Sequence, residues 1–259
     1  MNQEQIRSGL TTEIIGRQIF IRETTASTNQ DAKAACDAPD GSVFLAEVQT
    51  AGRGRLGRSW ESPAGCGIWM SILLKPELAP EELSKITLIA GVAMCRVLQK
   101  RGINAGIKWP NDIIIEGKKV CGILAELCID SQGRYCAVVG IGVNVNTKVF
   151  PQELSDKATS LFLLTGTEQD RVALLQEILV SFEFYYRQFL EQPFEWIRAE
   201  YEKDCITLNR EVSVVMPEGA YPARAVGISE EGELIVEKDG KTIVVRSGEV
   251  SVRGMLGYV

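Results

Sequence analysis

The stretch Gln49-Thr50-Ala51-Gly52-Arg53-Gly54-Arg55-Leu56-Gly57-Arg58-Ser59-Trp60 restricts the fold more than any other part of the chain. Glycines recurring at this density disfavour a helix and permit sharp turns or close approach to a ligand. Strand-like apolar runs flank the stretch, Val43–Val48 before it and Gly67–Leu74 after it. It therefore reads as a loop between two strands. Gly52 to Gly57 matches G-x-G-x-x-G, and Gly52 to Ser59 approximates a phosphate-binding P-loop with Arg58 in the lysine position. Both motifs require a helix directly afterwards, and Glu61-Ser62-Pro63-Ala64-Gly65 is a poor helix start. The V-A-I-K, H-R-D and D-F-G segments of a protein kinase are also missing. What survives is an anion cradle of arginine forks, which stay charged at neutral pH and match carboxylate and phosphate oxygens.

The background around this loop is acidic. The 259 residues carry a formal net charge of -6, so the arginines suit a small anion better than a long nucleic-acid duplex. The sequence contains no histidine. Ser-His-Asp and Cys-His catalysis, imidazole acid–base work and His-ligated metals are excluded, which leaves positioning and fixed charge. Seven cysteines occur without a C-x-x-C pair. They are expected to be small buried hydrophobes in a reducing compartment, with neither disulfides nor zinc. The first residues, Met1 to Gln5, lack a basic and apolar leader pattern, and no apolar run is long enough to span a membrane. Cytoplasmic localisation is expected.

Along the chain, residues 3–10 suggest a short helix and Gln18–Glu23 a strand. Ser27-Thr28-Asn29 ahead of an alanine-rich run reads as a helix N-cap. Leu83, Ile86, Ile89, Ala90, Ala93, Val97 and Leu98 follow a helical period that Gly102 ends, and Asp170 opens another amphipathic helix that Pro193 interrupts. Ile107–Ile115 reads as one strand, stiffened at Pro110, with Lys108, Asn111 and Asp112 along it. Glu116 to Lys119 reads as a turn, Val120–Leu127 as the returning strand, and Ala137–Val145 as a strand buried on both faces. From Cys205 onward short strands alternate with Gly-containing turns, the texture of a small β-barrel. A boundary near Asp204 divides the chain into 1–204 and 205–259.

Four clusters carry chemistry: the hydroxyl and amide groups of Ser27-Thr28-Asn29, the arginine loop, Lys108-Trp109-Pro110-Asn111-Asp112, and Lys119 ahead of Gly122-Ile123-Leu124. A fifth segment, Gly140-Ile141-Gly142-Val143-Asn144, interrupts an apolar strand with glycines. A cation, an amide and a carboxylate on one segment could bind a nucleotide phosphate with Mg²⁺, or Lys108 and Asp112 could simply form an ion pair. In this order the segments resemble the biotin–protein ligases, densely over 25–147 and weakly to the C-terminus, where Gly248-Glu249-Val250-Ser251-Val252-Arg253 also matches.

The resemblance implies an α+β fold. A mixed-sheet catalytic domain of the class II aminoacyl-tRNA synthetase/biotin ligase type would precede an SH3-like β-barrel. It implies that ATP and biotin form biotinyl-5′-AMP, which a lysine of a biotin carboxyl carrier protein then attacks. Biotin contacts fall on Ser27, Thr28, Asn29, Gln49, Arg53, Gly54, Arg55 and Lys119. ATP contacts fall on Arg55, Arg58, Trp60, Lys108, Asn111, Asp112 and Asn144, with Trp60 packing on the adenine. Arg53, Arg55, Lys108 and Lys119 are the catalytic candidates, and Asp112 is the candidate Mg²⁺ ligand. Only about twenty-four residues precede Thr25, so the DNA-binding domain of some relatives is not expected. A homodimer is conceivable through an exposed strand at Val138–Val145. Lipoate or octanoate transfer within the same superfamily, and nucleic-acid binding by the arginine loop, are the competing readings.

Overall fold

A computed structural model describes residues 1–77, 79–216, 219–246 and 251–254. After the short helix α1 (Gln3–Ser8), seven strands build the main sheet: β1 (Ile19–Thr25), β2 (Ser42–Gln49), β3 (Gly67–Leu74), β4 (Gly106–Lys108), β5 (Asp112–Ile115), β6 (Lys118–Ile129) and β7 (Tyr135–Asn144). Their order is β1-β2-β3-β7-β6-β5-β4. Only β1 and β2 run parallel. Such a pair needs a crossover, and α2 (Thr28–Ala34) lies within it.

Strand alternation sorts the two faces of the sheet. Val43 and Leu45 of β2, Ile68, Met70 and Ile72 of β3, and Val139, Ile141 and Val143 of β7 join the main core. That core is completed by α3 (Leu83–Lys100), Leu161 of the short α4 (Leu161–Thr165), α5 (Arg171–Glu191) and α6 (Phe194–Asp204). On the opposite face, Phe44, Leu73 and Val138 form a smaller cluster under Ala32 of α2. The same face continues along β3 and β7 into Ser71, Trp69, Gly140 and Gly142, where apolar bulk gives way to small and polar groups.

Three sequence expectations are revised. Ile107–Ile115 is a hairpin: β4 pairs antiparallel with β5, Asn111 N–H donates to Lys108 O at 3.2 Å, and the Trp109–Pro110 peptide is cis, a type VI arrangement. Proline read as a stiffener of one extended strand hid this turn. The strand Val138–Val145 is not exposed, because β7 is hydrogen-bonded to β3 on one side and β6 on the other, so it offers no edge for dimer pairing. Cys36 and Cys128, 92 residues apart, form a disulfide. Spacing could not reveal that the turn after α2 sets Cys36 against Cys128 of β6, and the bond removes the cysteine argument for a reducing compartment. Cys95, Cys121, Cys136 and Cys205 are free and buried, as expected.

A second, antiparallel sheet follows α6, with β8 (Glu211–Met216), β9 (Gly219–Ile228), β10 (Leu234–Lys238), β11 (Lys241–Val245) and β12 (Ser251–Gly254) in the order β11-β10-β9-β8-β12. Four strands form a consecutive meander and β12 adds beside β8, an antiparallel sheet in keeping with the short strands and turns read from the sequence. Residues 248–250 of the C-terminal motif lie outside the described residues, as does the side chain of Arg253. The C-terminal part of the chain, from α6 onward, reaches back to the first sheet. Trp109 N–H donates to Thr207 Oγ1 at 2.9 Å, Trp109 Nε1 to Gly232 O at 3.3 Å, and Tyr201 Oη to Pro110 O at 3.2 Å.

The buried carboxylate of Glu183 on α5 accepts the backbone N–H groups of Glu13, Ile14 and Ile15 at 2.6, 2.7 and 2.7 Å. It thereby fixes the segment that delivers β1. Unsatisfied buried donors cost about 1–3 kcal/mol each, so Glu183→Ala should lower unfolding free energy by about 2–4 kcal/mol. Glu13→Ala, which loses only a solvent-exposed ion pair with Arg187, should shift it by less than about 1 kcal/mol. Urea denaturation of both variants is the check.

Candidate active site

The small-residue face of the sheet is the floor of one cleft of about 950 Å³. Strand register places Trp69, Gly142, Gly122, Asp112 and Lys108 in a single row across β3, β7, β6, β5 and β4. Trp60, at the end of the arginine loop, lies directly on this row. A Cβ on Gly142 would sit 2.6 Å from Trp60 Nε1, and one on Gly122 would sit 3.0 Å from Trp60 Cζ3. In the neighbouring row a Cβ on Gly140 would fall 2.2 Å from Asn29 Oδ1. The glycines that interrupt these apolar strands are therefore clearances, for an indole and for an amide. Trp69 meets the Trp60 ring edge-on at 6.4 Å.

Lys119 reaches the same floor through a bulge. Asp112 pairs with Gly122 and Ile113 with Cys121, but Ile114 pairs with Lys119, so Val120 is skipped. Simple alternation would aim Lys119 to the face opposite Gly122; the bulge turns it onto the face of Asp112. Its Nζ lies 2.6 Å from Asp112 Oδ1 and 5.0 Å from the Trp60 ring centroid. Sequence reading placed Lys119 in a turn; it is in β6, and the turn is Glu116-Gly117, both at positive φ. Asp112 thus has Lys119 as an ion-pair partner, and Lys108, across from Asp112 on β4, is buried in the cleft wall.

The arginine loop is a closed hairpin. Gly54 N–H donates to Arg58 O at 2.7 Å and Trp60 N–H to Gly52 O at 2.9 Å, and bridges join Gln49 to Ser62 and Arg53 to Ser59. Gly52 is required here, since a Cβ would lie 2.4 Å from Trp60 O. Arg55 Nη1 donates to Asn111 Oδ1 at 3.2 Å, and Asn111 is anchored in turn on Ile123 O at 2.7 Å. Burial pushes the Arg55 guanidinium below its usual pKa, Asp112 opposes the shift and Arg58 adds to it. A cation destabilised in this way gains by acquiring an anion.

At the other end of the cleft is the N-terminus of α2. Ser27 occupies the cap position without making a side-chain cap bond. The acceptor is Gln49 Oε1, which receives Thr28 N–H at 2.9 Å and lies 3.1 Å from Thr28 Oγ1, while Gln49 Nε2 donates to Ser62 Oγ at 2.7 Å. One side chain thus ties the helix, β2 and the base of the arginine loop together. Ser71 Oγ is 2.7 Å from Thr28 Oγ1 and 2.6 Å from Asn29 Oδ1, and Asn29 Nδ2 donates to Leu124 O at 3.2 Å and Glu126 Oε2 at 2.8 Å. Burial works to raise the pKa of Glu126, but hydrogen bonds from Lys33 and Asn29 bring it below the ordinary value.

All fourteen residues singled out in the sequence line this cleft: Ser27, Thr28, Asn29, Gln49, Arg53, Gly54, Arg55, Arg58, Trp60, Lys108, Asn111, Asp112, Lys119 and Asn144. Ser71, Trp69 and Glu126 escaped sequence reading. Ser71 did carry a signal, as the lone polar residue within the apolar run of β3. Among the described residues no group of three or more His, Cys, Asp or Glu is arranged to hold a metal ion.

Residues 19–144 match the sequence profile of the Biotin/lipoate A/B protein ligase family, and residues 207–253 that of the Biotin protein ligase C terminal domain. The bifunctional ligase/repressor BirA of Bacillus spizizenii is 38% identical over 242 residues, covering 92% of this chain and 74% of the relative. The biotin–[acetyl-CoA-carboxylase] ligase of Mycobacterium tuberculosis is 33% identical, covering 90% and 88%. Among solved structures, the biotin protein ligase of Aquifex aeolicus in complex with biotin and ATP superposes with a TM-score of 0.81 at 33% identity, covering 92% of this chain and 99% of that one. The chain belongs to the biotin protein ligase family.

Gly142→Ala should lift the Trp60 ring from the floor. The expected result is an altered near-ultraviolet circular dichroism spectrum with the far-ultraviolet spectrum unchanged. An unchanged near-ultraviolet spectrum would contradict the packing of indole on glycine.

Proposed function

We propose that this chain joins biotin to a lysine of a biotin carboxyl carrier protein, of acetyl-CoA carboxylase or another biotin-dependent carboxylase, through biotinyl-5′-AMP. The observation that carries this reading is the single cleft whose lining brings together the amide and hydroxyl groups of Ser27, Thr28, Asn29 and Gln49, the Trp60 ring, and the buried or half-buried cations Arg55, Lys108 and Lys119. In the first step a biotin carboxylate oxygen bonds to the α-phosphorus of ATP and the bond to pyrophosphate breaks. Two anions must meet, so the barrier is largely electrostatic, and cations fixed in a half-buried site lower it without proton transfer. In the second step a carrier lysine amine attacks the acyl carbon, AMP leaves, and the amine loses its proton.

In this reading Ser27, Thr28, Asn29 and Gln49 hold the ring end of biotin. Arg53, Gly54, Arg55 and Lys119 meet its carboxylate, while Arg55, Arg58, Lys108, Asn111 and Asn144 meet the nucleotide phosphates. Trp60 offers its ring to the adenine. The donor set fits Mg²⁺ held mainly by phosphate oxygens, with Asp112 as the protein carboxylate beside it; when bound, the ion would neutralise phosphate charge. Asp112 meanwhile orients Lys119. We also propose a cytoplasmic setting for this ATP-dependent reaction, and no DNA contact, the latter on the net charge of -6 and the arginine loop lining the cleft. No helix among the described residues is long and apolar enough to cross a membrane.

Incubation with ATP, Mg²⁺, an apo carrier domain and either biotin or lipoate should add the biotinyl mass alone; a lipoyl increment would favour the competing acyl ligase. Lys119→Ala and Arg55→Ala should each lower biotin-dependent pyrophosphate exchange by about 10²-fold, with folded circular dichroism spectra. Intact exchange in either variant would remove that residue from the adenylation step.

A further inference from the structure

Outside the cleft lining, one charged group is built into its architecture. Glu126 stands behind Asn29, on the floor side of β6, and its two oxygens are divided: Oε2 accepts from Asn29 Nδ2 at 2.8 Å and Oε1 pairs with Lys33 of α2. We infer that Glu126 is a positioning residue that sets the direction of the hydrogen-bond chain Asn29–Ser71–Thr28, and with it the acceptor character of the ring-binding end of the cleft. The inference rests on the proposed use of that end for biotin.

A carboxylate and a backbone carbonyl can only accept. Glu126 Oε2 and Leu124 O both face one end of the Asn29 amide, so that end must be the NH₂ group and the other end, Oδ1, must accept. The group within reach of Oδ1 is Ser71 Oγ at 2.6 Å. Ser71 owns one proton and spends it there, so the single proton of Thr28 serves its contacts with Ser71 Oγ at 2.7 Å and Gln49 Oε1 at 3.1 Å, both directed away from any ligand. Gln49 Oε1 is then held by the Thr28 backbone N–H at 2.9 Å. Thr28 Oγ1 and Gln49 Oε1 keep lone pairs at the cleft end and offer no proton there. Such an end selects a ligand that presents N–H donors, as a cyclic urea does and a dithiolane does not. Ser71, Thr28 and Asn29 are at most 5% exposed, so water has little room to repair a reversed chain.

Glu126→Gln tests this. With Lys33 beside it, the glutamine carbonyl is drawn to the ammonium and an NH₂ group is turned toward the Asn29 amide, two donors facing each other. Loss of one ligand hydrogen bond of ordinary strength corresponds to about tenfold in affinity. In biotin-dependent pyrophosphate exchange, Glu126→Gln should raise KM for biotin about tenfold while KM for ATP moves by less than about twofold. Ser71→Ala, which interrupts the chain without touching charge, should give the same signature. The double variant should cost little more than either single one, because both break the same chain. Arg53 is the other cation whose charge Glu126 feels; action through Arg53 would instead make the two losses additive and would overturn the inference. So would an unchanged KM for biotin in both single variants, or equal rises in KM for both substrates. Wild-type protein that exchanges pyrophosphate with no dependence on biotin would refute the proposed function itself, a distinct outcome.

Discussion

The contact of the Trp60 indole with the glycines of the sheet is the constraint on which the site depends. A β-sheet ordinarily covers its face with side chains, and a cleft on a sheet exists only where that cover is withheld. Here Gly122 and Gly142 withhold it in adjacent strands, and the loop that carries the arginines lays its terminal tryptophan into the gap. The ring position fixes the end of the hairpin, the hairpin carries Arg55 to Asn111, and Lys119 stacks over the ring while holding Asp112. Charge placement follows from a packing decision in the backbone.

The opposite face of the sheet explains why the floor can be so thin. Val139, Ile141 and Val143 of β7 alternate with Gly140 and Gly142 and anchor the strand in the apolar core. From Val139 to Asn144 one strand therefore serves as core on its odd-numbered residues and as cleft floor on its even-numbered ones. Its central place between β3 and β6 keeps that floor from shifting in register.

Much of this was legible in the sequence. The strands on either side of the arginine loop, the long helices and the C-terminal meander announced themselves by periodicity and by turn residues, and the clusters quoted for the family resemblance converge on one cleft. What stayed hidden was non-local or depended on register. The hairpin at Trp109–Pro110 looked like a single strand because both arms are apolar and the turn is only as long as its closing hydrogen bond requires. The bulge that aims Lys119 has no compositional mark. The Cys36–Cys128 bond and the Glu126–Asn29 contact join segments about ninety or more residues apart, beyond the reach of any spacing argument.

The pinning of Trp109 by Thr207 and Gly232 gives the C-terminal sheet a meaning beyond its position in the chain. Lys108, Asn111 and Asp112 sit on either side of a turn whose tryptophan is gripped by the later segment, and one continuous apolar core runs through both sheets. Excising the small sheet would therefore not yield a leaner version of the same machine. It would leave the jaw without its pivot, and the division between the two parts of this chain is one of sequence order rather than of mechanical independence.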